Sequence, residues 1–124
     1  MQFTGAVSTG VNNLTLYTTG AVTQDGGANL TAAGLELLGT GGAYTLTNTG
    51  NAISALAGNT GSVSYTQNSS FEIGTVNTVG LVTTGNLTLS STGAVTQSQR
   101  ISAAVSIHSR IILLCCSKFA GVPL

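Results

Sequence analysis

Asn13-Leu14-Thr15-Leu16-Tyr17-Thr18-Thr19-Gly20-Ala21-Val22-Thr23-Gln24 returns later in the chain as Asn86-Leu87-Thr88-Leu89-Ser90-Ser91-Thr92-Gly93-Ala94-Val95-Thr96-Gln97. The offset from Asn13 to Asn86 is 73 residues, and only Tyr17 against Ser90 and Thr18 against Ser91 differ. Upstream, Gly5-Ala6-Val7-Ser8-Thr9-Gly10 answers Gly80-Leu81-Val82-Thr83-Thr84-Gly85 after a two-residue slip. Downstream, Leu30-Thr31-Ala32-Ala33 answers Ile101-Ser102-Ala103-Ala104. Chance does not give this easily, even at biased composition. The chain therefore holds a little over one long repeat.

Within the repeat, Leu14-Thr15-Leu16, Leu35-Glu36-Leu37, Tyr44-Thr45-Leu46, Val63-Ser64-Tyr65, Phe71-Glu72-Ile73 and Leu87-Thr88-Leu89 alternate apolar and polar residues. That period of two is the sign of a half-buried strand. Between them stand turn clusters such as Gly39-Thr40-Gly41-Gly42, Asn48-Thr49-Gly50-Asn51 and Gly58-Asn59-Thr60-Gly61. Gly and Asn tolerate the positive φ that tight corners demand. Short strands at this spacing fit a sandwich or a solenoid. The long repeat favours the solenoid, which grows by stacking similar coils, whereas a sandwich has no need to repeat. With coils of roughly 20 to 25 residues, three coils fill one unit.

The expected fold class is thus all-β, a parallel β-helix with Leu14, Leu16, Leu35, Leu37, Leu46, Ile53, Val63, Ile73, Leu87, Leu89 and Val95 inward. Asn86 to Gln97 should repeat the conformation of Asn13 to Gln24. Small residues such as Ala21, Ala33, Ala43 and Ala52 suggest a core that narrows in places. Thr31 to Leu38 also admits a helical turn, but Gly34 within it and Gly39 after it weigh against one.

Composition bounds the function. Of 124 residues, 5% are charged, the net charge is zero and 42% are hydrophobic. Average soluble domains carry about 25% charged residues. Nucleic acid is excluded as a partner, because its affinity needs several Lys or Arg contacts to phosphate. The composition also lacks the high net charge and low hydrophobicity of disorder. Met1-Gln2-Phe3-Thr4 starts no signal peptide. Ile111 to Cys116 is far short of the roughly 20 apolar residues of a membrane span, so no membrane insertion is expected.

The runs Gly20-Ala21-Val22-Thr23-Gln24, Leu30-Thr31-Ala32-Ala33-Gly34-Leu35-Glu36-Leu37-Leu38-Gly39, Tyr44-Thr45-Leu46-Thr47-Asn48 and Asn86-Leu87-Thr88-Leu89 resemble the repeat region of filamentous haemagglutinin-like exoproteins. Those are very large bacterial proteins, exported by two-partner secretion, with right-handed parallel β-helix shafts. The resemblance covers roughly Gly5 to Ala104. It implies a shaft segment of a secreted, cell-surface adhesin and implies adhesion, biofilm formation or toxin delivery by the parent. The amino-terminal secretion domain of such proteins is not in this stretch. Partners implied are neighbouring coils of the parent and a host-surface or carbohydrate ligand of the parent. Self-association of the chain is expected separately, from uncapped coil ends, unpaired strand edges and a net charge of zero.

The resemblance stops after Ala104. All three basic residues, the one His, both Cys and the one Pro lie between Arg100 and Leu124. Residues 1–104 are read as the solenoid segment and 105–124 as a tail outside the repeat, arising from a frameshift or a fragment boundary. A capping segment using Ile111, Ile112, Leu113, Leu114 and Phe119 is the alternative.

Catalytic, cofactor-binding and metal residues are each expected to be none. Asp25, Glu36 and Glu72 are the three acids. Glycoside hydrolysis needs a carboxyl pair at set separation, and these three read as solvated surface positions. His108, Cys115 and Cys116 fall short of the roughly four ligands of a zinc site. Gly39-Thr40-Gly41-Gly42 lacks the Lys-Ser/Thr of a phosphate loop and reads as a corner. Asn13, Asn29, Asn68 and Asn86 open sequons that permit glycosylation in a suitable host. The expected function is therefore structural, without catalytic activity. The alternative is a Thr-rich binding module for ice or carbohydrate, for which the coils look too irregular.

Overall fold

The computed structural model describes residues 1–103 and the backbone of Phe119–Ala120. The expectations placed on Ala104, the rest of the tail, His108, Cys115 and Cys116 lie outside the described residues. In chain order the strands are β1 (Gln2–Phe3), β2 (Val7–Ser8), β3 (Leu14–Tyr17), β4 (Ala21–Gln24), β5 (Leu30–Thr31), β6 (Gly34–Leu46) and β7 (Ala55–Gln67). They continue as β8 (Phe71–Ile73), β9 (Leu81–Thr83), β10 (Leu87–Ser91), β11 (Val95–Gln97), β12 (Ile101–Ala103) and β13 (Phe119–Ala120).

Every pairing between named strands is parallel. The chain is a β-solenoid with three strand columns. The first column stacks β3, the first half of β6, the first half of β7, β9 and β12; these mark coils one to five. The backbone of β13 pairs with β12 on the same column. The second column stacks β1, β4, the second halves of β6 and β7, and β10. The third holds β2 and β5, continues through the bridge from Thr31 to Ala52, and ends in β8 and β11. It is the least regular, since β8 pairs with Ala55 and Leu56 at the start of β7.

Alternation puts one face of each strand inside. All the residues expected inward are buried except Leu14, which is half-buried. Leu14 lies on β3, the first strand of its column, with no coil beneath it among the described residues. Tyr65 and Phe71 meet edge-on inside, with ring centroids 5.2 Å apart, a favoured aromatic geometry. The helical alternative for Thr31 to Leu38 is overturned: the segment runs as strand through Gly34–Leu38.

Two further expectations are corrected. Leu35-Glu36-Leu37 and Tyr44-Thr45-Leu46 are not separate strands but halves of one 13-residue strand, bent where the register shifts between Gly39 and Ala43. Gly39 (φ 118°) and Gly41 (φ 78°) adopt backbone that L side chains avoid. The ladder is interrupted only at the bend, with Gly39 paired to Thr60 before it and Ala43 to Ser62 after it. Second, the 73-residue repeat is not three coils. Leu14 pairs with Leu35, Leu35 with Leu56, and Gly58 with Leu81, steps of 21, 21 and 23 residues. Three such coils fall short of 73 by the length of one side. Asn13–Gln24 places its Leu-Thr-Leu on the first column, whereas Asn86–Gln97 places it on the second. Strand, corner and strand recur in both copies, turned by one face.

Candidate functional site

Buried polar side chains hold the corners. Asn51 is 2% exposed. Its Oδ1 accepts from the Leu30 amide (2.9 Å) and from Gln24 Nε2 (2.7 Å). Its Nδ2 donates to the carbonyls of Leu46 (3.1 Å) and Thr66 (3.2 Å) and to Gln24 Oε1 (3.1 Å). Gln67 does the same work one coil on. Its Oε1 accepts from the Ile53 amide (3.0 Å) and the Tyr65 hydroxyl (2.7 Å), and its Nε2 donates to the Ile53 carbonyl (3.1 Å). These amides replace ladder bonds that the chain gives up in turning.

Glu36 departs from its expected place. Its neighbours Leu35 and Leu37 point inward, so Glu36 points out, yet it is 3% exposed. The segment 74–80, between β8 and β9, folds back over it as a small hairpin. Thr75 and Val79 bridge in antiparallel fashion, and the Gly80 amide donates to the Gly74 carbonyl (2.9 Å). Glu36 Oε2 accepts from the Thr78 amide (2.8 Å) and hydroxyl (2.5 Å). Oε1 accepts from the Thr15 hydroxyl (2.8 Å) and Asn77 Nδ2 (3.3 Å). Burial pushes the carboxyl pKa up, but the bonds from Thr78, Thr15 and Asn77 outweigh it and hold the pKa below its ordinary value. Both oxygens are engaged and covered, a poor arrangement for a general base, which must reach substrate.

The other acids stand apart from this cluster. Asp25 is exposed and accepts from Gln2 Nε2. Glu72 is half-buried and lines an open depression with Ser54, Ser70, Phe71 and Thr96. Among the described residues no group of three or more His, Cys, Asp or Glu is placed to hold a metal. An open groove of about 490 Å³ is lined by Gly26, Gly27, Asn29, Thr47, Asn48, Thr49 and Gly50, all uncharged. No helix among the described residues is long and apolar enough to cross a membrane.

The outer face of the second column carries a feature the sequence conceals. Val22 pairs with Tyr44, which brings Thr23 level with Thr45. Thr45 then pairs with Ser64, and Ser64 with Thr88. Beside that row, Leu46 pairs with Tyr65, bringing Thr47 level with Thr66, and Thr66 pairs with Ser90. The steps along the first row are 22, 19 and 24 residues. Corners of unequal length absorb the difference, so irregular sequence becomes regular stacking. Rows lie about 6.6 Å apart along the strands, with members about 4.8 Å apart across them. The outer faces of the other columns break the pattern, with Glu36 and Ala57 in one and Ala52 and Glu72 in the other.

Compared with described protein families, curated proteins and solved structures, the chain has no significant match.

Proposed function

We propose that this chain is a structural shaft segment of a large secreted bacterial surface protein, an adhesin of the filamentous haemagglutinin-like kind, with no catalytic activity of its own. The observation that carries this reading is the five-coil parallel stack, in which one column runs from β3 to β12. Its corners are fixed by buried amides. Such a stack sets a distance, since each coil advances about 4.8 Å. Its surface is nearly free of charge, which suits a spacer better than a site for nucleic acid or an anionic membrane. Inserted between two spin-labelled carrier domains, the segment should hold them at one narrow separation, measured by pulsed dipolar spectroscopy. A broad, linker-like distribution would overturn the reading.

A second reading rests on the Thr and Ser rows of the second column. A flat, uncharged, hydroxyl-bearing lattice is a surface for a periodic neutral ligand, ice or a carbohydrate polymer. Thermal hysteresis, or retention on an insoluble neutral polysaccharide, that is lost on Thr45→Tyr and kept on Tyr17→Ala would favour this over the spacer.

A further inference from the structure

In a solenoid each coil ordinarily contacts only its neighbours. Glu36 breaks that rule. It stands on coil two, takes a bond from Thr15 on coil one, and takes three from Asn77 and Thr78 in the segment that leads into coil four. Between them lies Ala57 of coil three, which pairs with Glu36 on the same outward side and is 0% exposed. One carboxylate on coil two thus bonds coil one on one side and, reaching past Ala57, the connector from coil three to coil four on the other.

The segment that reaches it is added material. Gln24 and Gln97 are equivalent in the repeat, and they pair with Phe3 and Ile73. Gly5 and Gly80 are equivalent too. The first copy crosses this corner with Thr4 alone, whereas the second uses residues 74–79. The extra residues do not wander. They close a hairpin whose Val76 packs against Gly34, where a methyl group would stand 2.9 Å from Val76 Cγ2. A wider residue than Gly at position 34 would hold the hairpin off.

We propose that residues 74–80 are an acid-released latch, a strap fastened across coil three onto coil two by the Glu36 carboxylate and freed when that carboxylate takes up a proton. All four donors point at the charged form. A protonated Glu36 is itself a donor at one oxygen. A Thr hydroxyl can turn to accept from it, but the Thr78 amide and Asn77 Nδ2 can only donate, so protonation weakens the bond from whichever of them shares that oxygen. The strap itself carries no charged side chain. The titratable groups on β3, β6 and β7 are the phenols Tyr17, Tyr44 and Tyr65, while Glu72 and Arg100 flank the two ends of the strap at Gly74 and Gly80, and among the described residues none of these is bonded to Glu36. Because the carboxyl is held below its ordinary 4.5, the latch is closed at neutral pH and opens only in distinctly acid conditions. Opening uncovers Glu36 and Ala57, beside the already exposed Thr15, and leaves the inward face of each coil in place.

Hydrogen exchange of the whole chain tests this, followed as protection factors so that the intrinsic pH dependence is removed. The Thr78 and Gly80 amides should lose protection by roughly ten- to a hundredfold as the pH falls through the Glu36 titration, the range given by a lost hydrogen bond to a charged group. The amides of Leu37 and Leu56 should stay protected over the same interval. In Glu36→Gln the strap amides should already be weakly protected at neutral pH and should not respond to acid. Should that variant fail to fold, Thr78→Val takes its place, since it removes one strap donor and leaves coil two intact. In Thr78→Val the Glu36 carboxyl, followed by its carbon resonance, should titrate at higher pH than in the parent. The proposal is overturned if Thr78 keeps its protection through the Glu36 titration. It is equally overturned if Glu36→Gln retains a fully protected strap, or if Thr78→Val leaves the carboxyl titration where it was.

Discussion

At the scale of single residues, the buried polar side chains differ most from what parity suggests. Asn51 serves two coils, and Ala in its place strands the Leu30 amide and the carbonyls of Leu46 and Thr66 away from water. Each stranded buried group costs about 1–3 kcal/mol. Asn51→Ala should therefore lower the urea midpoint sharply, while Thr45→Ala on the outer face should stay within about 0.5 kcal/mol. Equal effects would show that the amide is not structural. Glu36 gives a pH expectation of definite sign. Its folded pKa lies below 4.5, so its stabilising contribution is complete above the unfolded value and is lost as pH falls through the folded one. Acid denaturation followed by circular dichroism should show a smaller loss of stability in Glu36→Gln than in the parent. The sequence revealed the outward parity of Glu36 but not its burial, because the cover comes from residues more than 40 positions away. The one hint was the unequal corner, Thr4 against 74–79.

At the scale of strands, the apolar-polar alternation was legible because it reports a local property, one side facing the core. Leu35, Leu37, Val63 and Val95 landed inward for that reason. The continuity of β6 and β7 was not legible. Gly39-Thr40-Gly41-Gly42 and Gly58-Asn59-Thr60-Gly61 look like breaks, yet they carry the strands around a corner, with the pairing shifting between Gly39 and Ala43 and resuming beyond it. The requirement there is tertiary: a methyl group on Gly61 would stand 2.5 Å from the carbonyl oxygen of Gly42, one coil below. The close stacking of these corners demands glycine, independent of turn propensity. Gly61→Ala should cost several kcal/mol or prevent folding, since backbone must shift to admit it. Gly26→Ala, with nothing within 4 Å of the added atom, should leave the thermal midpoint within a degree or two. Were both tolerated alike, the corner stacking would be wrong. Leu56→Ala offers a calibration from the core: Leu56 is 0% exposed, and its truncation should cost about 2–5 kcal/mol.

At the scale of the whole molecule, the offset between sequence repeat and coil carries a consequence. A unit of three coils and one face cannot return a given side chain to the same column after one repeat. The second column gets its hydroxyl rows from four unlike segments around Thr23, Thr45, Ser64 and Thr88, not from four copies of one motif. The same stacking sets how the molecule meets its own kind. Among the described residues strand β3 pairs on one side only, with β6, and presents its other edge beneath half-buried Leu14 and a Tyr17 that is 72% exposed. Open parallel edges with apolar residues behind them are templates for further strands. The net charge of zero offers little repulsion against association. The chain should therefore self-associate in a concentration-dependent way, seen as growth of the sedimentation coefficient with loading. Lysine on an exposed edge is the usual deterrent to such pairing, and Tyr17 is exposed enough to take it without disturbing the core. Tyr17→Lys should slow or abolish association while leaving the urea midpoint within about 0.5 kcal/mol of the parent. Val11→Lys, on the 90% exposed bend before β3, changes net charge equally without placing a charge on the strand. If it suppresses association as strongly as Tyr17→Lys, general repulsion and not the β3 edge governs self-association. A chain that stays monomeric at every loading would show that the edge is not a template at all.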